Sequence, residues 1–184
     1  MQIIDTFESS NEDNGRLLTV KYPDQELDEF RRLYSIWNDV EYLFNFFNQY
    51  EQHLRKGFPG ISTDQAIELT QAAVDNMFET ILFHAQAAHL NLDQLFKPLN
   101  NSEYHVVELQ KTKVKINPSK NWLRIYGIRI DPNTIIITGG AIKLTRTMDE
   151  SEHTKAEKVK LGKVQAYLRE NGVQFIEDIE DLIS

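Results

Sequence analysis

Between residues 122 and 147 the chain reads WLRIYGIRIDPNTIIITGGAIKLTRT. Two dense β-forming runs, 123–130 and 134–144, flank a short Asp131-Pro132-Asn133 turn. A hairpin of this density can carry a buried sheet while its cations, Arg124, Arg129, Lys143 and Arg146, are presented at an end. Gly139-Gly140 interrupts the second run, which marks a bulge or a close backbone approach. Neither GxxxxGK[ST] nor GxGxxG surrounds the pair, so a phosphate loop is not expected there.

The sequence before the hairpin is mostly helical in period. Residues 16–22 (RLLTVKY) predict a strand bounded by Gly15 and Pro23. Leu27, Phe30, Leu33, Tyr34 and Trp37 then recur at helical spacing, and Asn38-Asp39 ends that run and can cap a second helix over 40–55. Ser62-Thr63-Asp64-Gln65 is a capping box opening a long helix to about residue 90, with a break expected near His84. Residues 106–116 alternate with period two and put Lys111, Lys113 and Lys115 on one face. Thr154-Lys155-Ala156-Glu157 predicts a further capping box, and Gly172 stands where a helix C-terminus wants glycine. Residues 1–15 read as a loose arm. The acidic tail, 172–184, reads as a short helix or as a segment docked on the sheet.

This order predicts an α+β fold: a small antiparallel sheet with helices on one face. One domain spans 16–171, with 62–91 as a helical insertion. The chain has 184 residues and no cysteine, so disulfides and thiolate metal sites are excluded. No run approaches the length of a membrane helix, no secretory signal pattern opens the sequence, and the expected location is the cytoplasm. The five histidines lack metal-ligand spacing and no carboxylate pair stands out, so neither a metal nor any other cofactor is expected. Net charge is −8, yet residues 97–163 carry +6 and the remainder −14. That asymmetry fits a phosphate-facing surface, a basic patch neutralised by the chain's own acidic arm, or a sheet that merely drew lysine.

The motifs along the strands resemble the RelE/ParE/HigB superfamily of toxin–antitoxin ribonucleases and gyrase poisons. Glu108-Leu109-Gln110 is similar to that family's Glu-Leu-Arg strand, Leu123-Arg124-Ile125-Tyr126 to its arginine-bearing strand, and 142–147 (IKLTRT) to its Lys-Thr-rich exit. Thr154 to Leu168 would be the closing helix. The chain departs from the family in being longer and acidic, in having Leu144 where a second lysine is common, and in its Gly139-Gly140 pair. A second resemblance, across 95–168, is to uncharacterised Bacteroidetes proteins with an LRxYxIRL…GGAIKLT signature.

The first resemblance implies a RelE-like core, a metal-independent mRNA endoribonuclease, and an antitoxin, RNA or the ribosome as partner. Such enzymes orient RNA so that its 2′-OH attacks the adjacent phosphate, while cations stabilise the charge that develops. The implied catalytic residues are Arg124, Lys143 and Arg146, and the implied RNA contacts are Lys111, Lys113, Tyr126 and Arg129. The alternative is a non-catalytic module that keeps the fold and uses the same cations to bind nucleic acid or an acidic protein. Its aromatic faces, 42–50 and 78–83, would then pack helices or a second subunit. A third reading has Glu177 to Asp181 lying over the basic sheet as self-inhibition.

Overall fold

The computed structural model describes residues 1–6, 16–86, 92–99, 109–115 and 121–183. The strands are β1 (Gln2–Asp5), β2 (Arg16–Lys21), β3 (Lys97–Pro98), β4 (Gln110–Val114), β5 (Leu123–Asp131) and β6 (Thr134–Ile142). They form one sheet in the order β1-β2-β6-β5-β4-β3. The β5–β6 hairpin lies at its centre, as expected from the apolar runs. All pairings are antiparallel except β2 with β6, which run parallel from Arg16↔Thr134 to Thr19↔Ile137.

Helices α1 (Glu29–Asn38), α2 (Val40–Gln49), α3 (Glu51–Gly57) and α4 (Thr63–Gln86) precede the central hairpin, and α5 (Glu152–Glu170) follows it. They do not share one side, as the one-face expectation had it. α1 to α4 build a core with Leu123, Ile125 and Val114, whereas α5 builds a second core with Tyr126, Ile128 and Ile136. The reason is in β5 and β6, which are apolar on both faces and must be covered twice.

Local chemistry sets most helix ends. Asp28 and Asp39 accept from the amides of Arg31 and Tyr42, capping α1 and α2. The Ser62 amide donates to Gln65 Oε1 and the Gln65 amide to Ser62 Oγ, the reciprocal bonds of a capping box. The expected single helix over 40–55 is divided at Tyr50, and α4 continues without a break through His84 to Gln86. α5 ends in a Schellman turn: Gly172, at φ +74°, and Val173 donate to the carbonyls of Arg169 and Leu168.

Ile67, Val74, Met77, Phe78 and Ile81 of α4 belong to the first core, and Thr70 accepts from Trp122 Nε1. Residues 87–91 lie outside the described residues. Gln2–Asp5, expected within a loose arm, form the edge strand β1, with Ile3 fully buried. The rest of that arm, 7–15, is outside the described residues. The acidic tail docks: Ile179 is buried, Ile183 bridges to Ile3, and Glu180 pairs with Arg16 on β2. Arg16 pairs with Thr134 at the start of β6, the opposite end of that strand from Ala141 and Ile142, which keeps Glu180 away from Arg124 and Lys143.

His153, in the first turn of α5, shows how the layers are tied. Its Nε2 stands 2.6 Å from the Ile142 carbonyl and its Nδ1 2.8 Å from Ser151 Oγ, with Phe46 and Tyr50 rings against it. One ring nitrogen must donate to the carbonyl and the other can accept from the hydroxyl, which suits the neutral ring. Burial holds this histidine below its ordinary range, outweighing the opposing effect of the bond to the Ile142 carbonyl. The unfolded chain therefore takes up the proton first, so this stability is present above about pH 6.5 and is lost as pH falls below it. Comparing urea midpoints of the wild type and His153→Gln across that interval checks it. The wild type should lose stability on acidification and the variant should lose less.

Candidate functional site

The alternation of the strands gathers three cations onto the α5 face. On β4, Val114 enters the first core, which turns Lys111 and Lys113 to the opposite face. On β5, Tyr126 and Ile128 enter the second core, so Arg124 shares their face. On β6, Ala141 lies in that core and Lys143 continues its side. Lys113 pairs with Tyr126, and Arg124 with Ala141, so Lys113, Arg124 and Lys143 fall on three neighbouring strands near one end of the sheet.

The three are half-buried and feel one another. Burial lowers the proton affinity of Lys113, and the charges of Arg124 and Lys115 lower it further. Lys143 is lowered by burial and then by Arg124, with Glu150 opposing and Lys113 and Lys115 adding to the effect. Burial also acts on Arg124, although a guanidinium stays charged in any such setting. Lys115 is exposed and belongs to the same group through its repulsion by Arg124.

Main-chain carbonyls hold these side chains in place. Arg124 Nη1 donates to Asn121 O at 3.0 Å and Leu123 O at 2.6 Å. Lys143 Nζ donates to Thr145 O at 2.6 Å and also to Arg146 O. Lys113 Nζ donates to Leu99 O at 2.9 Å. Among the described residues neither Arg124 nor Lys143 has a carboxylate within ion-pairing distance. The arrangement fixes positive charge on a partly desolvated surface, which strengthens its attraction for an anion.

The other residues named from sequence lie differently. Arg146 is exposed just beyond β6 and gives its carbonyl to Lys143. Lys111 lies under α5, its Nζ 3.9 Å from where a Cβ on Gly162 would stand. Tyr126 is 1% exposed, so its ring is core and has no face open for a base to stack on. Arg129 is turned to the opposite face, 5% exposed, and donates from Nη2 to Phe96 O at 2.9 Å. It anchors the connector after α4 and stands apart from the cation group.

A second polar cluster escaped sequence reading. Glu29 on α1 and Glu157 on α5 are 0% and 8% exposed, and both come close to where a Cβ on Gly139 would stand. Glu157 is therefore not the closing residue of a capping box. α5 begins at Glu152, with Ser151 in the N-cap position three residues before Thr154, and Glu157 sits inside the fold. Arg32 grips Glu29 with two bonds of 2.8 Å, and Lys160 lies 2.9 Å from Glu157 Oε1 and 3.5 Å from Glu29 Oε2. The available signal was Gly139-Gly140, whose expected close approach is real and comes from these side chains and from α1.

Among the described residues no group of histidine, cysteine and carboxylate side chains could hold a metal, and no helix is long and apolar enough to cross a membrane. Comparison with family models, curated proteins and solved structures returned no match.

Proposed function

We propose that the basic end of the sheet binds the phosphate backbone of RNA, in a protein of the toxin–antitoxin kind. The observation that supports the reading is the Lys113–Arg124–Lys143 group: three cations on adjacent strands, held by carbonyls and partly withdrawn from water. Lys115 and Arg146 extend the positive surface beyond it. Phosphates reward such a surface by counterion release, without any reading of bases. A folded acidic partner, such as an antitoxin, would satisfy the same cations.

A second reading makes the chain a metal-independent endoribonuclease, and the lowered proton affinity of Lys113 and Lys143 favours it. A lysine so shifted can exchange a proton nearer neutral pH, while Arg124 steadies charge on a pentavalent phosphorus. Tyr126 takes no part in either reading, because its hydroxyl is enclosed.

One titration tests both. Fluorescence anisotropy of an end-labelled single-stranded RNA would be followed against salt for the wild type and an Arg124→Ala, Lys143→Ala double variant. The variant should bind about tenfold or more weakly, and its log–log salt slope should flatten by roughly 0.7 for each phosphate that the missing cations no longer neutralise. Equal affinity and slope for both proteins would overturn the assignment. The same RNA, run on a denaturing gel after incubation with a chelator, separates the readings. Products that need Arg124 and Lys143 mean cleavage; intact RNA with salt-dependent binding means a binding module.

A further inference from the structure

At Gly139 the two helical layers touch through the sheet. β2 and β6 pair only as far as Thr19↔Ile137, and beyond that point the edge of β6 is flanked by side chains. Tyr22 donates there to the Thr138 carbonyl at 2.9 Å. Thr138 is itself skipped in the β5–β6 register, where Tyr126 pairs with Gly139 and Gly127 with Ile137, so the strand bulges just before the glycine. With no Cβ on Gly139 a window is left. A Cβ built there would collide with Glu157 Oε2 and stand 3.3 Å from Glu29 Oε2.

The hydrogen bonding at the window is short of one donor. Both Glu29 oxygens accept from Arg32, and Lys160 also approaches Oε2. Glu157 Oε1 accepts from Lys160. Glu157 Oε2 is buried and, among the described residues, has no hydrogen-bond partner, and both it and Glu29 Oε2 come close to where a Cβ on Gly139 would stand. Two ionised carboxylates offer only acceptors, so their facing oxygens repel. A proton on Glu157 Oε2 supplies the missing donor and turns that repulsion into a hydrogen bond between α5 and α1.

We propose that the folded chain retains a proton on Glu157, and that the bond this proton makes toward Glu29 latches α5 to α1 through the window at Gly139. The groups facing the pair come from every neighbouring element: Arg32 on α1, Tyr42 on α2, Tyr22 after β2, Tyr126 on β5 and Lys160 on α5. Lys160 and Arg32 favour ionised Glu157, whereas burial and the charge of Glu29 favour the protonated form, burial being the largest of these effects. Tyr22 and Tyr126 are themselves pushed toward the protonated state by burial, and so add no negative charge.

The folded chain keeps a proton that the unfolded chain releases in the ordinary glutamate range. The latch is therefore complete below that range and is lost as pH rises through the titration of Glu157 in the fold. Between the ordinary glutamate range and that titration the folding equilibrium constant of the wild type should fall up to tenfold per pH unit relative to Glu157→Gln, and above it the loss should stay constant. Glutamine keeps the shape and carries its own N–H donor toward Glu29, so the variant should hold its stability in alkali. Urea unfolding of the two proteins across mildly acidic to mildly alkaline pH reads this difference, and parallel curves would overturn the latch. Infrared spectroscopy of the wild type gives a direct view that needs no variant. A protonated carboxyl band should persist in the folded protein just above the ordinary glutamate range and vanish on unfolding, and its absence from the folded protein there would sink the proposal.

Discussion

Replacing Trp122 with alanine is expected to lower stability by about 3–5 kcal/mol, among the largest losses a single side chain here can cause. The indole is 1% exposed at the start of β5. Phe47 of α2 meets it edge-on with centroids 5.6 Å apart, and Phe58, just after α3, does so at 4.9 Å. Its Nε1 donates at 2.9 Å to Thr70 Oγ1, which is wholly buried in α4. Truncation therefore opens a cavity where three helical elements meet the sheet. Trp122→Phe keeps most of the packing and removes one hydrogen bond of Thr70, whose hydroxyl still donates to Ala66 O. It should therefore cost roughly 0.5–1.5 kcal/mol. Urea denaturation followed by circular dichroism measures both losses. A decrease under about 1 kcal/mol for the alanine variant would show that the first core closes over the gap.

Gly140→Ala carries the second large effect, with a steric cause. A Cβ at this position would lie 2.8 Å from the Arg124 carbonyl, 2.8 Å from Leu33 Cδ1 and 2.9 Å from the Trp37 ring. The carbonyl belongs to the neighbouring strand and the indole is locked in the core, so neither can swing aside. Overpacking of this kind costs about 1–3 kcal/mol and moves backbone. The moved backbone is that of Arg124, so, if the basic end binds RNA as proposed, the variant should also bind it more weakly than its loss of stability explains. A thermal melt paired with the anisotropy titration separates the two effects. Loss of stability with unchanged binding would detach the cation group from this close approach.

The α+β class, the central hairpin and most helices were legible because their signals are local. Ser62 and Gln65 cap each other within one turn, and Gly172 closes α5 through bonds to residues only three and five positions away. The covering of both faces was written in β5 as well, since Leu123 and Ile125 alternate with apolar Tyr126 and Ile128 in the wrong parity for a single core. The same parity already separates Arg124 from Arg129.

What stayed hidden depends on distant partners. Gln2–Asp5 is a four-residue stretch that becomes a strand only against β2. Thr154 and Glu157 have the spacing of a capping box, but Ser151 stands one turn earlier and takes the cap position, which frees Glu157 for the interior. Its counterpart Glu29 sits in the first turn of α1, where an acidic residue is expected for helix-dipole reasons alone. Nothing in local spacing joins the two. The cations at the end of the sheet were half legible: period two put Lys113 and its neighbours on one face, but only the strand order brings Lys143 beside them.

The parallel pairing of β2 with β6 has a consequence for how the chain assembles. β5 and β6 meet across a tight turn, so their hairpin can close early at little entropic cost. β2 must instead wait until the four helices that follow it and the hairpin exist, and β1 can add only to β2. Ile3 finds its bridge to Ile183 later still, across nearly the whole sequence. Pairings so distant along the chain slow folding and leave a strand edge unprotected meanwhile. In synthesis β1 and β2 emerge before every helix, yet they are among the last elements to find their neighbours.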